Sequence, residues 1–515
     1  MKRVVPTQSI QIAIPYLILG LILLIQAIAI YLLNDGKFTY ILDDPYIHLS
    51  LARNIAHGHY GINLVESSAP SSSILWPFLL TPFVSLPFYE YIPLMLNIGF
   101  GVCTLFFIHK IIDLIFQSSI SSTKKIFISV LFIIITAVST LIWSGMEHVL
   151  QIFLSVFIIY NLIDLEINNK LNKSLIIAII VHSLVRYENL SICIPALTFI
   201  FLKGYKKLSL LSFFIIISAL AAFSYFLHSL GLNYLPTSVI IKGSYFSNKN
   251  SFEIFLANLN ISMQAPTWFF LVGILLLIGL KLRQKSHMLF IITISTSILL
   301  QLLFGTTLGT FYRYETYMIV YALIAFIYLY NKFISQTINN TRKYLITIIL
   351  LSGFLIGYLD YIHGVVYTPM FANSIYAQSY QIGLFTSKYY NKNVGVNDIG
   401  LVSFMNNNYT LDVFGLSNID VIYYRKSQTP GWMNQMTDRY NVDLIMIYDE
   451  WFTNHRPSDW IKIGELNIDI PTVSVAYKEM AFYVRNPANV TEVRQLIKQF
   501  AQTLPANTTF DFAPE

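Results

Sequence analysis

The sequence predicts a polytopic α-helical membrane protein with about eleven spans and a C-terminal α/β domain outside the membrane. Three observations predict it. Of the 515 residues, 55% are hydrophobic and only 12% are charged, about half the charge of an average soluble chain. Apolar runs long enough to cross a bilayer recur down to about residue 362. Beyond that point such runs stop, and short β-rich pieces alternate with helical stretches.

The spans fall at about 12–33, 91–117, 124–143, 148–164, 175–187, 189–202, 208–230, 266–282, 288–305, 315–331 and 343–362. The first follows Met1-Lys2-Arg3 and exceeds the apolar core of a secretory signal, so it is read as an uncleaved span. The apolar segment 73–87 is short and closed by Pro82 and Pro87, and is read as membrane-lying or re-entrant. With the N-terminus inside, Lys110, Lys124, Lys125, Lys170, Lys173, Lys203, Lys206 and Lys207 fall in cytoplasmic loops. Few cations fall opposite: Lys37, Arg53, Lys242 and Arg313 among them. This orientation suits a bacterial cytoplasmic membrane with the C-terminal domain outside. The domain boundary lies at 365/366. Strands are expected in "NVGVND", "GLVSFM", "YTLDVFGL", "VDLIMIYD" and "TVSVAYKEMAFYVRN", and helices over 371–390, 430–440 and 490–503.

The net charge of +6 is a membrane-orienting bias, not a nucleic-acid signal. Cys103 and Cys193 lie in apolar runs, which excludes a disulfide framework or a cysteine-rich metal site. No Walker A, dinucleotide-binding or zinc-protease signature occurs.

The polar exceptions gather on the outer side: Asp43 and Asp44, Glu147 and His148, Arg186-Tyr187-Glu188, Lys242 and Arg313. Pro45 starts a helix over 46–56, amphipathic and lying on the membrane surface, with Asp44 as its N-cap. Asp43 then stands at the mouth of the first span, where a carboxylate beside a pocket suits a general base. Asp44 and His48 are four apart, which is metal-ligand spacing on a helix, but two residues are not a site. Ser72 or Ser73 caps a short helix and Trp76 is an interfacial anchor. At "RYEN" two short spans meet: either the helix breaks around a polar cavity open to the outer half, or one long helix buries an Arg–Glu pair. Arg186, Lys242 and Arg313 together could neutralise an anion such as a lipid phosphate.

An acidic pair after the first span, a surface helix, many spans and an outer C-terminal domain resemble the C-type (GT-C) membrane glycosyltransferases. The arabinofuranosyltransferase branch is the most similar, and protein O-mannosyltransferases and the aminoarabinose transferase of lipid A are related. The similarity rests on "DDPYI" at Asp43, "SGME" at Ser144–Glu147, Arg186–Glu188, Leu235–Lys242 and "VNDIG" at Val396–Gly400. Tyr187 stands where relatives often have proline, and Thr237 where they often have asparagine. The resemblance implies transfer of a sugar, arabinofuranose or another pentose or hexose, from a polyprenyl-phosphate donor to an acceptor hydroxyl on a protein, lipid or glycan. It implies Asp43 and Asp44 as catalytic residues with Asp43 the base. Arg186, Lys242 and Arg313 would hold the donor phosphate, and Glu147, His148, Glu188, His48 and Tyr187 the sugar or acceptor. A divalent metal, at Asp44 and His48 if anywhere, stays open. So do three other functions: a flippase for a lipid-linked sugar, a receptor, and an oligosaccharide ligase or polymerase with a diphosphate-linked donor.

Overall fold

In the computed structural model, residues 6–116, 120–242, 287–305, 313–333 and 359–514 are described, with Glu253 and Leu256 singly. The expected span at 266–282 and nearly all of that at 343–362 lie outside the described residues. The N-terminal helices are α1 (Pro6–Leu33), α2 (Asp44–Ala56), α3 (Leu75–Leu80), α4 (Ile92–Phe116), α5 (Ser122–Ile135), α6 (Val138–Trp143) and α7 (His148–Asn168). They continue with α8 (Lys173–Val185), α9 (Leu190–Leu202), α10 (Lys206–Ser229), α11 (Thr237–Lys242), α12 (Met288–Phe304) and α13 (Thr316–Phe333). Among the described residues, the helical stretches Ala13–Leu33, Tyr89–Phe116, His148–Asn168 and Lys206–Ser229 are long and apolar enough to cross a membrane. The protein is mostly helical and built as a multi-pass membrane protein.

Burial sorts these helices. Both sides of α7 are packed, with Val156, Ile158, Ile159, Leu162 and Ile163 buried, so it is the centre of the bundle. By contrast α1 and α10 expose Leu17, Leu21, Leu24, Leu211, Phe214 and Tyr225, as lipid-facing helices do. Apolar surface on the outside costs nothing where the solvent is hydrocarbon.

One expected span is divided, and the expected joint at "RYEN" is a true break. The run 124–143 breaks between α5 and α6, where Ala137 adopts a left-handed φ of 44° and the Thr136 hydroxyl donates back to the Phe132 carbonyl at 2.8 Å. Such back-bonding competes with the helix ladder. The run 175–202 breaks at Arg186, which is extended at φ −154° and ψ 149°, followed by a 3-10 turn over Tyr187–Asn189. The continuous-helix alternative for "RYEN" therefore falls.

Helix α14 (Leu359–Ile375) crosses residues 365/366 and runs on through two π-helical stretches and Gln381–Phe385 to Tyr390. After it come β1 (Val394–Val396), α15 (Gly400–Met405), β2 (Thr410–Asp412), α16 (Ile419–Ser427), α17 (Trp432–Arg439), β3 (Leu444–Ile447), β4 (Ile461–Ile468), β5 (Glu479–Val484), α18 (Val490–Ala501) and β6 (Thr508–Phe512). The sheet order is β2-β1-β3-β5-β4-β6. Strand β1 pairs in parallel with β2 and β3, and the remaining pairs are antiparallel. Strands β4 and β6 and helix α16 are additions to the sequence reading. "GLVSFM" is a correction: it is α15, not a strand. A six-residue apolar run has no length to distinguish the two, and its helical form is fixed by contacts from far away in the chain.

Helix α2 also departs from expectation. It does not lie free on a surface: Pro45 to Ala52 and Asn54 are all buried. Tyr46, Leu49 and Ala52 join the core of the membrane bundle. Ile47 and Leu51 join the outer domain's core with Val402, Ile382 and Phe482. One helix therefore serves two cores with its two faces. Trp76 is likewise no interfacial anchor, being fully buried in the bundle core.

Candidate active site

The loop from Asn34 to Asp43 is fastened before it reaches α2. Thr39 Oγ1 donates to the Ala372 carbonyl at 2.9 Å, the Ile41 N–H to the Trp143 carbonyl at 3.2 Å, and the Tyr40 hydroxyl to the Glu90 carbonyl at 2.7 Å. The turn before α7 is pressed against it. Gly145 has φ 66°, and a Cβ there would strike the Tyr40 ring and Pro45, so glycine is needed both for conformation and for the close approach. That approach brings the Glu147 carboxylate under α2.

The acidic pair then splits. Asp43 sits at the N-cap position of α2 without capping it. Its carboxylate reaches into the outer domain instead, where Oδ2 accepts the Gly400 N–H at 2.6 Å and Oδ1 the Leu401 N–H at 2.8 Å. Asp44, the expected cap, lies in the first turn of α2, and its Oδ2 meets Arg313 Nη2 at 2.9 Å. One turn on, His48 Nε2 faces Glu147 Oε2 at 3.7 Å.

Arg186 is the hub beneath. Its Nη1 donates to Glu147 Oε1 at 2.7 Å and Ser72 Oγ at 3.1 Å, and its Nε to Glu188 Oε1 at 2.7 Å. Breaking the helix here lets the side chain turn sideways to all three partners. Tyr314 bridges the two arginines: the Arg186 and Arg313 guanidinium carbons lie 4.9 and 5.0 Å from its ring centroid, and the His148 ring meets it edge-on at 5.7 Å. Thus Asp44, His48, Glu147, His148, Arg186, Glu188 and Arg313 are brought together. Asp43, one residue from Asp44, faces the outer domain. Lys242 ends α11, and its side chain lies outside the described residues.

Several buried polar atoms here have no hydrogen-bond partner among the described residues: Arg313 Nε and Nη1, both Glu315 carboxylate oxygens, His148 Nε2 and the Tyr187 hydroxyl. Buried polar groups are ordinarily matched, so these mark where a ligand or water belongs. A cavity of about 380 Å³ opens at the α8–α9 break, with Ser72, Arg186, Tyr187 and Glu188 at one end and Leu190, Ile194 and Phe304 towards the other. It is polar at the charged cluster and apolar towards the bundle.

The carboxylates differ in their titration. Burial pushes Asp43 up to about 6, against the two backbone N–H groups that pull it down, with Asp44 adding repulsion. Asp398, two residues before Gly400, is pushed up to about 7 by burial and then by the charge of Asp43, while the Tyr448 hydroxyl opposes the rise. Burial would raise Glu147 too, but Arg186 overrides it and holds that carboxyl well below the usual carboxylate range. Glu147 is therefore a fixed anion, and Asp43 and Asp398 titrate near neutrality.

Among the described residues, the carboxylates and histidines of the cluster do not converge on a divalent-metal site. Asp44 is matched to Arg313, Glu147 to Arg186, and both Asp43 oxygens to backbone N–H groups. Among the described residues, no three carboxylate, histidine or cysteine groups converge as ligands.

A family model described as a domain of unknown function (DUF8728) matches residues 372–483. No curated protein matches the chain. Among solved structures, the chain is similar to the oligosaccharyltransferase of Archaeoglobus fulgidus. The apo crystal structure shares 12% identity at a TM-score of 0.43, with 96% of this chain and 76% of that chain covered. A complex of that enzyme with Zn and sulfate shares 11% identity at 0.44, covering 96% and 75%. A third structure, oligosaccharyltransferase AglB from the same organism with an inhibitory peptide and a dolichol-phosphate, shares 12% at 0.42, covering 96% and 76%.

Four parts of this cluster escape a sequence reading. Tyr314 is one of 34 tyrosines, Ser72 reads as a helix cap, and Glu315 adjoins an apolar run. The Gly400 and Leu401 amides carry no side-chain signal at all.

Proposed function

We propose that the chain is an integral-membrane inverting glycosyltransferase. It moves a sugar from a polyprenyl-phosphate donor to an acceptor hydroxyl on the outer side of a bacterial cytoplasmic membrane. Residues 1–365 carry the catalytic centre and 366–515 form the outer domain. The observation that supports this best is Arg313: Nη2 is held by Asp44 and the Tyr314 hydroxyl, while Nε and Nη1 are buried with no acceptor among the described residues. A guanidinium oriented in this way suits a phosphate, because its planar fork matches two phosphate oxygens. Arg186, with its donors given to Glu147, Glu188 and Ser72, acts as the strut that fixes those carboxylates. Lys242, the last residue of α11, remains a further candidate cation for the phosphate by its place in the sequence.

In this reading the acceptor oxygen attacks the anomeric carbon from the face opposite the phosphate. The carbon–oxygen bond to phosphate breaks, and polyprenyl phosphate leaves with the electron pair. The acceptor proton passes to Asp43, which keeps lone pairs beyond the two it gives to Gly400 and Leu401. A carboxyl near 6 is basic enough to accept a proton and still ionised at neutral pH. As charge grows on the leaving phosphate, Arg313 stabilises it. The apolar end of the cavity suits the first prenyl units, and His48, Glu147, His148, Tyr187 and Glu188 supply hydroxyl-binding groups around the sugar.

The test is a panel of labelled polyprenyl-phosphate pentoses and hexoses, offered to the purified protein in lipid nanodiscs with a cell-envelope acceptor fraction. The reading expects polyprenyl phosphate release and labelled glycan from at least one donor, both lost in Asp43→Asn. Translocation of the donor across liposomes without bond cleavage would replace it with a flippase.

A further inference from the structure

The segment that carries the acidic pair is held from outside the membrane. Asp43 and Arg53 stand ten residues apart, at the two ends of α2. Asp43 grips the start of α15 through the Gly400 and Leu401 N–H groups. Arg53 grips its end, Nη2 donating to the Ser403 carbonyl at 3.0 Å and Nη1 to the Phe404 carbonyl at 3.0 Å. Between them Ser403 Oγ donates to Ser50 Oγ at 3.1 Å, and Val402 packs with Ile47 and Leu51. The two helices therefore run in parallel. An acid meets the N–H end and a base the carbonyl end, each satisfying backbone groups that a six-residue helix cannot satisfy itself. Gly400 has no room for a side chain, since a Cβ would strike the Asp43 main-chain carbonyl oxygen and then its carboxylate.

The same outer domain holds the chain that follows α2. Glu66 accepts from the Tyr440 hydroxyl at 2.7 Å and Asn418 Nδ2 at 2.6 Å, and the Asn63 side chain exchanges two hydrogen bonds with the backbone of Thr410. Nothing in the membrane bundle bonds the Asp43 carboxylate among the described residues. Its direction is set by amides 357 and 358 positions away in sequence.

We infer that the outer domain is a working part of the membrane active centre: α15, gripped at both ends by α2, fixes the direction of the Asp43 carboxylate. Gly400 and Arg53 are positioning residues for transfer. This rests on the glycosyltransferase reading above. A domain that only decorated the surface would not need its main chain to orient the base. Undocking would leave the donor phosphate site, built from Arg313 and its neighbours in the bundle, in place.

The experiment compares wild type, Arg53→Ala, Arg53→Lys, Gly400→Ala and, as control, Lys498→Ala. Lys498 is exposed on α18 and lies over the Phe512 ring of the edge strand β6. Two readouts are taken on full-length protein in nanodiscs: amide hydrogen exchange over 400–405 and 43–56, and kcat and KM for a polyprenyl-phosphate sugar. The expected result for Arg53→Ala and Gly400→Ala is exchange over 400–405 faster by at least tenfold. With it, kcat per folded molecule falls at least tenfold while donor KM stays within twofold. Arg53→Lys, which keeps one donor group, recovers part of both, and Lys498→Ala changes neither. Unchanged exchange in Arg53→Ala and Gly400→Ala overturns the grip itself. Faster exchange with unchanged kcat overturns its role in catalysis. Faster exchange in a protein that transfers no sugar in wild-type form upholds the grip and rejects the transferase reading on its own.

Discussion

Asp43 and Asp44 are neighbours with opposite environments. Asp44 is neutralised by Arg313. Asp43 faces two amides, loses most of its water, and titrates near 6. Asp43→Asn keeps the size of the side chain but cannot take a proton, so transfer should fall by about 10²–10⁴-fold, the usual share of a general base. Donor binding, read by ligand-induced thermal shift, should persist. Arg313→Ala should raise donor KM more than acceptor KM, since it removes the free phosphate donors and leaves the base alone. Equal effects on both substrates would remove Arg313 from the phosphate. Glu147→Ala should damage folding before chemistry: it strips Arg186 of a buried partner, a loss of about 3–5 kcal/mol, seen as a lowered Tm in detergent.

At the scale of elements, the site is made by breaks. Gly145 turns tightly enough to bring Glu147 beneath α2, Arg186 stops α8 so that its side chain can reach Glu147 and Ser72, and α2 is shared by two cores. Helix α3 packs against α2, and its Trp76 is wholly buried in the bundle core. Trp76→Ala should cost about 3–5 kcal/mol and, by loosening the floor under α2, should lower the unfolding midpoint in urea or detergent. Much of this was legible. Charged residues are rare in the chain, so Asp43, Asp44, Glu147, Arg186, Glu188 and Arg313 stood out, and their common side followed from the lysine-rich opposite loops. What was not legible has physical causes. Whether "GLVSFM" is strand or helix depends on who satisfies its end groups, and the answer is Asp43 and Arg53. Whether α2 faces water or protein depends on the outer domain above it. Tyr314 and Ser72 read as ordinary interfacial and capping residues because their role exists only relative to two arginines from other elements.

For the whole molecule, the junction of bundle and outer domain is sensitive to pH. Asp43 and Asp398 both have folded-state values raised above those of an exposed aspartate. Between about pH 4 and 7 the folded state therefore binds more protons than the unfolded one, and stability falls as pH rises. The contribution is complete below the unfolded value of about 4 and is gone above the folded values of about 6 and about 7. Transfer should move the other way, with kcat/KM rising as Asp43 ionises through about 6. Melting curves and kcat/KM measured from pH 4 to 9 should thus show opposed trends. Asp43→Asn should flatten the melting trend in part, leaving the share of Asp398; a Tm that climbs with pH over this window would contradict the sign.

Composition and hydropathy alone determined that the chain is helical, crosses a membrane several times and ends in a small α/β domain. Those outcomes follow from local tallies: apolar length against bilayer thickness, and β-branched runs between turn signals. The pairings were decided only by the fold. That Asp44 rather than Asp43 meets Arg313, that Arg186 braces Glu147 and Glu188, and that Asp43 is held by amides of the C-terminal domain all depend on distances between residues far apart in sequence. Coulombic and hydrogen-bond energies fall off over a few ångströms, so a sequence can name the charges but only the packed chain says which of them touch.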